Sequence, residues 1–164
     1  MPTSQPVELR RIDRADRPAL DRLLDAYLSE LGTYREFPVG PTDAATYPYL
    51  SLYWQEPGRH PFFVVAEGAR AGFVLIREIE KESITEVSEF YIRPAFRRCG
   101  LGRASLAEVW RRFSGAWRVE VHPRNAAAAA FWLSCVEEFA SGDIEVNEVA
   151  YEDGQRLQYR FEIA

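Results

Sequence analysis

The sequence has few cysteines, no long apolar stretch and no excess of basic residues, and each shortage narrows the class of protein. The two cysteines, Cys99 and Cys135, lie far apart and form no CxxC pair, so neither a disulfide framework nor a metal site is predicted. No apolar run approaches the roughly 20 residues that a membrane-spanning helix needs. The first residues also lack the apolar core of a signal peptide. We therefore expect a cytoplasmic protein with reduced thiols, no metal and no membrane partner.

The charge balance argues against nucleic acid as a partner. The formal net charge is −5, from 25 acidic and 20 basic side chains, whereas proteins that bind nucleic acids depend on an excess of Lys and Arg. A negative surface suits a cationic or amine partner, but solubility alone explains it equally well.

What the sequence does contain is sufficient apolar material for one core. Hydrophobic residues make up 47% and charged residues 27% of the chain, a balance typical of globular proteins. A length of 164 residues is about the size of one domain. We expect residues 1–164 to form a single domain.

The order of the hydrophobic patterns predicts a mixed α/β (α+β) fold. Strand-like patterns occupy residues 7–12, 62–67, 72–79, 84–92, 117–121, 143–151 and 155–163. Apolar residues at helical spacing predict helices after Asp16, from Leu101 and from Asn125, and a shorter helix is predicted around residues 43–55. The predicted order is strand, two helices, three strands, helix, strand, helix and two strands.

A turn with two glycines joins one predicted strand to the helix that follows it. Such a junction presents unpaired N–H groups at the positive end of a helix dipole, which favours a phosphate. Gly100 and Gly102 would let a ligand approach the main chain, and Arg97, Arg98 and Arg103 add positive charge. The pattern alone is weak, because many such turns only begin a helix. The third glycine of a dinucleotide motif and the Gly-Lys pair of a P-loop are both absent.

Two segments carry a resemblance to a known family. The run RRCGLG at residues 97–102 matches the [QR]-x-x-G-x-[GA] acyl-CoA motif of the GNAT superfamily. The run VEVHPRN at residues 119–125, followed by Ala128 in the N-x-x-A spacing, resembles the strand and asparagine that open the next GNAT helix. The match covers residues 86–132, and the wider pattern is similar to a bacterial group of predicted acetyltransferases.

The resemblance implies a fold, a donor and an acceptor. The fold is a mixed, twisted sheet of about seven strands, flanked by about four helices and splayed between the fourth and fifth strands. The donor substrate is acetyl-CoA, with its pantetheine arm in the splay, and the acceptor is a primary amine. The implied cofactor contacts are Phe90, Tyr91, Ile92, Arg97, Arg98, Cys99, Gly100, Leu101, Gly102, Arg103, Ala104, Asn125 and Trp132.

Two glutamates are candidate catalytic bases. Acylation of an amine requires the neutral amine, so a base must take a proton. The resemblance puts Glu86 where many GNAT enzymes have their base and Glu89 where others have a second acidic residue. Since side chains alternate along a strand, we expect the two carboxylates on opposite faces, with Glu86 facing the acceptor. A solvated or ion-paired surface glutamate is the alternative for either.

The usual general acid of GNAT enzymes is missing. That acid is a tyrosine seven residues after the asparagine, and Trp132 stands there instead. An indole does not give up a proton in this range. Tyr91, Tyr151, Tyr159 or water could replace the acid, or the thiolate could leave unaided. His122 could be a base, although such a residue is more often a polar group at a strand end.

Two functions therefore remain open. One is a working N-acetyltransferase, and the other is a catalytically inactive acyl-CoA-binding domain that acts as a sensor or assembly module. The missing tyrosine favours the inactive domain, whereas the turn with Gly100 and Gly102 and the two glutamates favour the enzyme. We expect the enzyme. The acceptor carries no shared motif. The aromatic segment at residues 27–54 would wall its pocket, or would pack as core or as a homodimer surface.

Overall fold

A seven-stranded mixed sheet organises residues 6–164, the part of the chain that the computed structural model describes. The strands are β1 (Glu8–Arg11), β2 (Arg59–Ala66), β3 (Ala69–Ile79), β4 (Ile84–Ile92), β5 (Gly115–Val121), β6 (Glu145–Tyr151) and β7 (Gly154–Ile163). Their order in the sheet is β1-β2-β3-β4-β5-β7-β6. The α-helices are α1 (Arg17–Gly32), α2 (Leu101–Arg112) and α3 (Ala126–Phe139). The predicted mixed sheet of seven strands is confirmed.

The segment predicted as a short helix at residues 43–55 is not an α-helix. It contains two 3₁₀ helices, Ala44–Thr46 and Leu50–Trp54. Pro48 lies between them and has no N–H to donate, so one α-helix cannot run through the segment. Three α-helices, and not about four, therefore flank the sheet within residues 6–164. None of them is both long and apolar enough to cross a membrane.

The sheet carries a buried layer on each face. On one face, α2 and α3 pack against the strands around the indole rings of Trp110 and Trp117. On the other face, α1 and the 3₁₀ helices cover β2, β3 and β4, and Leu24 lies there with Phe73 and Leu75. Within the described chain, this second layer includes no residue of β5, β6 or β7. That half of the face is left to polar side chains.

The parallel strands β4 and β5 separate soon after they meet. They pair only through Thr85 with Trp117 and Glu86 with Arg118. Beyond this point β5 continues to pair with β7, while one edge of β4 is left facing a gap. The predicted splay between the fourth and fifth strands is confirmed, and it begins at Glu86.

Candidate active site

A β-bulge places Glu86 and Glu89 on the same face of the sheet. Consecutive residues of β3 pair with Val87 and Glu89, so Ser88 is an extra residue in β4. One extra residue reverses the alternation of side chains beyond it. Val87 joins the layer under α2 and α3, whereas Glu89 contacts Tyr27 of α1 on the opposite face. The prediction that the two carboxylates face opposite sides is therefore wrong.

Glu86 is held by arginine where the two strands separate. Its Oε2 accepts hydrogen bonds from Nε and Nη2 of Arg118 at 2.9 and 2.6 Å, and its Oε1 accepts one from the Ser88 hydroxyl at 3.2 Å. Arg77 Nη1 lies 3.7 Å from the same Oε1. The side chains of Glu86 and Arg118 are each only 13% exposed. A carboxylate with its charge balanced in this way suits a structural ion pair better than proton transfer.

Glu89 lies beyond the bulge, under tyrosines from two other segments. Tyr27 of α1 donates its hydroxyl to Oε2, and Tyr47, which lies between the 3₁₀ helices, donates to Oε1 at 3.4 Å. Burial raises the pKa of Glu89 to about 7, and the two tyrosine hydrogen bonds oppose that rise. Such a carboxyl changes its protonation in the neutral range, as a general base for amine acylation requires.

The two tyrosine hydroxyls can donate hydrogen bonds but do not ionise near neutral pH. Burial, and then the charge of Glu89, hold the pKa of both Tyr27 and Tyr47 far above the usual range for a phenol. Their protons therefore stay on oxygen, where they stabilise the ionised form of Glu89. Neither tyrosine was predicted from the sequence as a partner of the base.

The turn before α2 presents a row of free main-chain donors. Arg98 and Gly100 adopt left-handed backbone, with φ of 64° and 80°. The N–H groups of residues 98–103 have no backbone acceptor within residues 6–164. The Ala104 N–H donates to the Gly100 carbonyl at 3.0 Å, so Ala104, one of the cofactor contacts that the resemblance implies, has no free N–H, and the row of free donors ends at Arg103. Free N–H groups at a helix N-terminus form an anion-binding site.

The three arginines of this turn differ in their contacts. Arg97 donates to both carboxylate oxygens of Glu30 in α1 at 2.8 and 2.7 Å, and its Nε donates to the last carbonyl of β4 at 2.7 Å. Arg103 pairs with Glu138 of α3. Arg98 is exposed and pairs with no acidic side chain in the described chain. Two arginines thus hold the turn against its neighbours, and Arg98 has no acidic partner within residues 6–164.

Gly102 lies close against an aromatic cluster next to the splay. A Cβ on Gly102 would lie 3.0 Å from Cζ of Phe131. The Phe131 ring stacks on Phe90 of β4, with 6.1 Å between the ring centroids and 5° between the ring planes. Trp132 packs edge-on to both rings. Gly102, Phe90 and Trp132 were predicted from the sequence as cofactor contacts, whereas Phe131 was not. The signal for Phe131 was its place in the apolar run of α3.

Most of the other predicted cofactor residues are held by the fold itself. Asn125 is the N-cap of α3, since its side-chain oxygen accepts the N–H of Ala128 at 3.1 Å. The N-x-x-A spacing therefore has a structural cause. Phe90, Tyr91 and Ile92 pair with β3 along one edge of β4, which leaves the other edge facing the splay. Leu101 is buried in the layer between α2 and α3, whereas the Cys99 thiol is exposed.

The remaining candidates for proton transfer differ in their surroundings. His122 is 6% exposed and its Nε2 has no partner in the described chain. Burial, helped by the charge of Arg156, lowers its pKa to about 4, so it is neutral at pH 7. The Tyr151 hydroxyl donates to Oε2 of Glu120 at 2.7 Å. Burial raises the pKa of Tyr151 to about 12. Tyr159 lies on the other face, under α2 and α3.

The loop at residues 33–42, which we term the strap, docks on the β6–β7 turn. The Glu36 N–H donates to the Asp153 carbonyl at 2.8 Å, and a Cβ on Gly154 would lie 2.7 Å from the Cβ of Glu36. Arg156 donates to both Asp153 carboxylate oxygens at 2.8 and 2.7 Å. Arg156 is also close enough to Glu89 to lower its pKa. The strap thus closes against the polar half of the sheet face that carries Glu89.

Comparison with known proteins gives the family. Residues 21–135, more than half of the chain, match the Acetyltransferase (GNAT) family, while no curated protein matches significantly. An acetyltransferase from Thermus thermophilus is similar in structure, with TM-score 0.72, 16% identity and coverage of 98% of this chain and 99% of that chain.

Two further solved structures have the same fold. The ribosomal-protein-S18-alanine N-acetyltransferase of Escherichia coli has TM-score 0.62 and 21% identity, and 97% of this chain and 95% of that chain are covered. The spermidine N-acetyltransferase of Vibrio cholerae, solved with CoA and spermine, has TM-score 0.65 and 15% identity, with 96% and 95% covered. Because the family match spans β4, the turn before α2 and most of α3, the chain belongs to the GNAT acetyltransferase family.

Proposed function

We propose that this protein is an acetyl-CoA-dependent N-acetyltransferase that acetylates a primary amine, with Glu89 as its general base. The observation that carries the proposal is the position of Glu89, just past the point where β4 and β5 separate, with a pKa raised to about 7. A base with this pKa is ionised over much of the neutral range and still binds a proton well.

The donor would be held by the turn before α2 and by the free edge of β4. The free N–H groups of residues 98–103 and the side chain of Arg98 supply the positive end for a pyrophosphate. The exposed edge of β4 offers main-chain groups to the amides of the pantetheine arm, in the manner of an added strand. The spermidine N-acetyltransferase of Vibrio cholerae binds CoA, which supports the same donor here.

The reaction needs one proton acceptor on the α1 side of the sheet. Ionised Glu89 takes one proton from the ammonium form of the acceptor, and the neutral nitrogen then bonds to the thioester carbonyl carbon while the C=O π pair moves to oxygen. When that pair re-forms the C=O bond, the C–S bond breaks and its electron pair leaves with the CoA sulfur, and the second proton of the nitrogen passes to the departing thiolate or to water. A thiol has an ordinary pKa of about 8.5, so its thiolate can leave without a strong acid. This fits Trp132 in place of a tyrosine on α3.

A second function, an inactive acyl-CoA-binding domain, is supported by one observation. Phe131 and Phe90 stack beside the splay, and the neighbouring position on α3 carries Trp132. If this cluster were to keep the thioester away from Glu89, the domain would bind the donor and not use it.

The experiment that separates the two functions combines binding with turnover. CoA at about 100 times its Kd should raise the free energy of unfolding by about 2.7 kcal/mol under either function, seen as a higher melting temperature. Thiol release from acetyl-CoA is then followed with polyamines, amino acids and peptides as acceptors. Acceptor-dependent release supports the enzyme, and binding with no release from any acceptor supports the inactive domain. No melting shift at millimolar CoA would contradict both.

A further inference from the structure

Each carboxylate oxygen of Glu89 receives a hydroxyl from a different segment of the chain. Tyr27 reaches Oε2 from α1, 62 residues away in sequence, and Tyr47 reaches Oε1 from the 3₁₀ segment, 42 residues away. Within residues 6–164 no arginine forms an ion pair with this carboxylate. Its polar contacts are therefore a pair of phenols, in contrast to the arginines that surround Glu86.

Tyr27 is held in place by rings on the sheet. The Tyr27 ring packs edge-on to Phe73, with 5.6 Å between the ring centroids and 85° between the ring planes. Its centroid lies 5.7 Å from that of the Tyr91 ring. Both neighbours belong to the buried layer beneath α1. The ring has little freedom, so its hydroxyl points steadily at Glu89.

Tyr47 is held by a separate local network. Asp43 and Thr46 form a capping box immediately before it. The Ala44 N–H donates to Oδ1 of Asp25 at 2.7 Å, which ties this segment to α1. At 3.4 Å the hydrogen bond from Tyr47 to Glu89 is long and therefore weak.

The other groups facing Glu89 do not replace these donors. Glu86 on β4 raises the pKa of Glu89, whereas Arg156 on β7 lowers it, and both have smaller effects than the tyrosines. Tyr53 of the second 3₁₀ helix is close enough for the charge of Glu89 to raise its own pKa. Burial remains the largest effect on Glu89. The tyrosine hydrogen bonds are therefore the main opposition to burial.

We propose that Tyr27 and Tyr47 are positioning residues, which hold the Glu89 carboxylate toward the splay and keep it ionised enough to accept a proton from the acceptor amine. Each phenol uses one lone pair of one oxygen, so a lone pair on each oxygen stays free for the amine. The hydroxyls carry this role, because they are the groups of the two tyrosines that donate to the carboxylate. The inference rests on the proposed role of Glu89 as base.

The test removes each hydroxyl and measures Glu89 directly. Tyr27→Phe, Tyr47→Phe and the double variant keep the rings, and Tyr49→Phe is the matched control, because Tyr49 is exposed and touches Tyr47 but not Glu89. The Glu89 carboxyl is titrated by carbon NMR on protein with labelled glutamate, and its signal is assigned from its loss in Glu89→Gln. The pH dependence of kcat/KM is measured on the same variants.

The expected result is a higher Glu89 pKa in each tyrosine variant. The rise should be larger in Tyr27→Phe than in Tyr47→Phe and largest in the double variant, and the Glu89 pKa of the control should be unchanged. A Glu89 pKa that is higher by about one lowers kcat/KM on the acidic side about tenfold, because tenfold less Glu89 is ionised. Above the new pKa, activity should recover. An unmoved carboxyl titration, or a loss of kcat/KM equal at every pH, would overturn the inference. Failure of the proposed function looks different, since Glu89→Gln would then leave turnover intact whatever the tyrosine variants do.

Discussion

Replacing Glu89 by glutamine is the most informative single change. Gln keeps the size and can still accept from Tyr27, but it cannot take the amine proton. Loss of a general base lowers kcat/KM by about 10²–10⁴, which corresponds to about 3–5 kcal/mol of transition-state stabilisation. CoA affinity, measured by calorimetry, should stay nearly unchanged, because the proposed pyrophosphate site is the turn after β4, and Glu89 contacts tyrosines of other segments and not that turn.

The pH profile carries the sharper part of this prediction. With a Glu89 pKa of about 7, kcat/KM of the natural protein should fall about tenfold per unit as the pH drops below 7, since the protonated carboxyl cannot act as base. Thiol release with a responsive acceptor, followed from about pH 5.5 to about 9, should lose this acidic limb in Glu89→Gln.

Glu86→Gln is the matched control. It removes a carboxylate on the same face and leaves Arg118 with only the more exposed Glu82 as an acidic partner, so it should lower the melting temperature and keep the acidic limb. If Glu86→Gln abolishes the limb while Glu89→Gln keeps it, Glu86 is the base and our assignment is wrong.

Three further predictions test other parts of the site. Glu89→Gln should raise the free energy of unfolding by up to about 3 kcal/mol at pH 8 and by little near pH 4.5. The reason is that a carboxyl whose pKa is raised in the folded state destabilises the fold as the pH rises from its unfolded pKa to its folded pKa. Chemical denaturation at both pH values measures this, and an equal effect at both would contradict it. Gly102→Ala should lower the melting temperature by displacing Phe131, and unchanged stability would mean that the ring moves freely. Arg98→Gln should weaken CoA binding in calorimetry more than Arg103→Gln does, since Arg103 already pairs with Glu138; the reverse order would mean that Arg98 does not meet the phosphates.

The elements that local patterns encode could be predicted from the sequence. The turn at Gly100 and the cap at Asn125 each depend on a few neighbouring residues, and both lie where the motifs put them. The splay between the fourth and fifth strands followed from the resemblance. Pro48 was visible in the sequence and, given more weight, would have argued against the helix at residues 43–55.

The bulge and the tyrosines could not be predicted in the same way. A bulge at Ser88 is a property of how β4 pairs with β3, and the residues of β4 alone are typical of a regular strand. Tyr27 stands in a row of leucines, and the segment at residues 27–54 was predicted as a pocket wall, as core or as a dimer surface, but only the fold brings Tyr27 to a residue 62 positions away. The face of each glutamate, on which the choice of base depends, was therefore decided by contacts distant in sequence.

If Glu89 is the base, as proposed, the bulge also gives Arg118 an indirect part in the chemistry. Because Glu86 and Glu89 share a face, the charge of Glu86 raises the pKa of Glu89. If Glu86 were unpaired, this repulsion would act at full strength and would keep Glu89 protonated at higher pH. The bond from Arg118 to Glu86 at 2.6 Å balances that charge at the last rung before the strands part. Glu86 thus pairs with Arg118 across the last rung between β4 and β5. Because that pairing balances the charge of Glu86, Glu89 beyond the bulge can ionise near neutral pH.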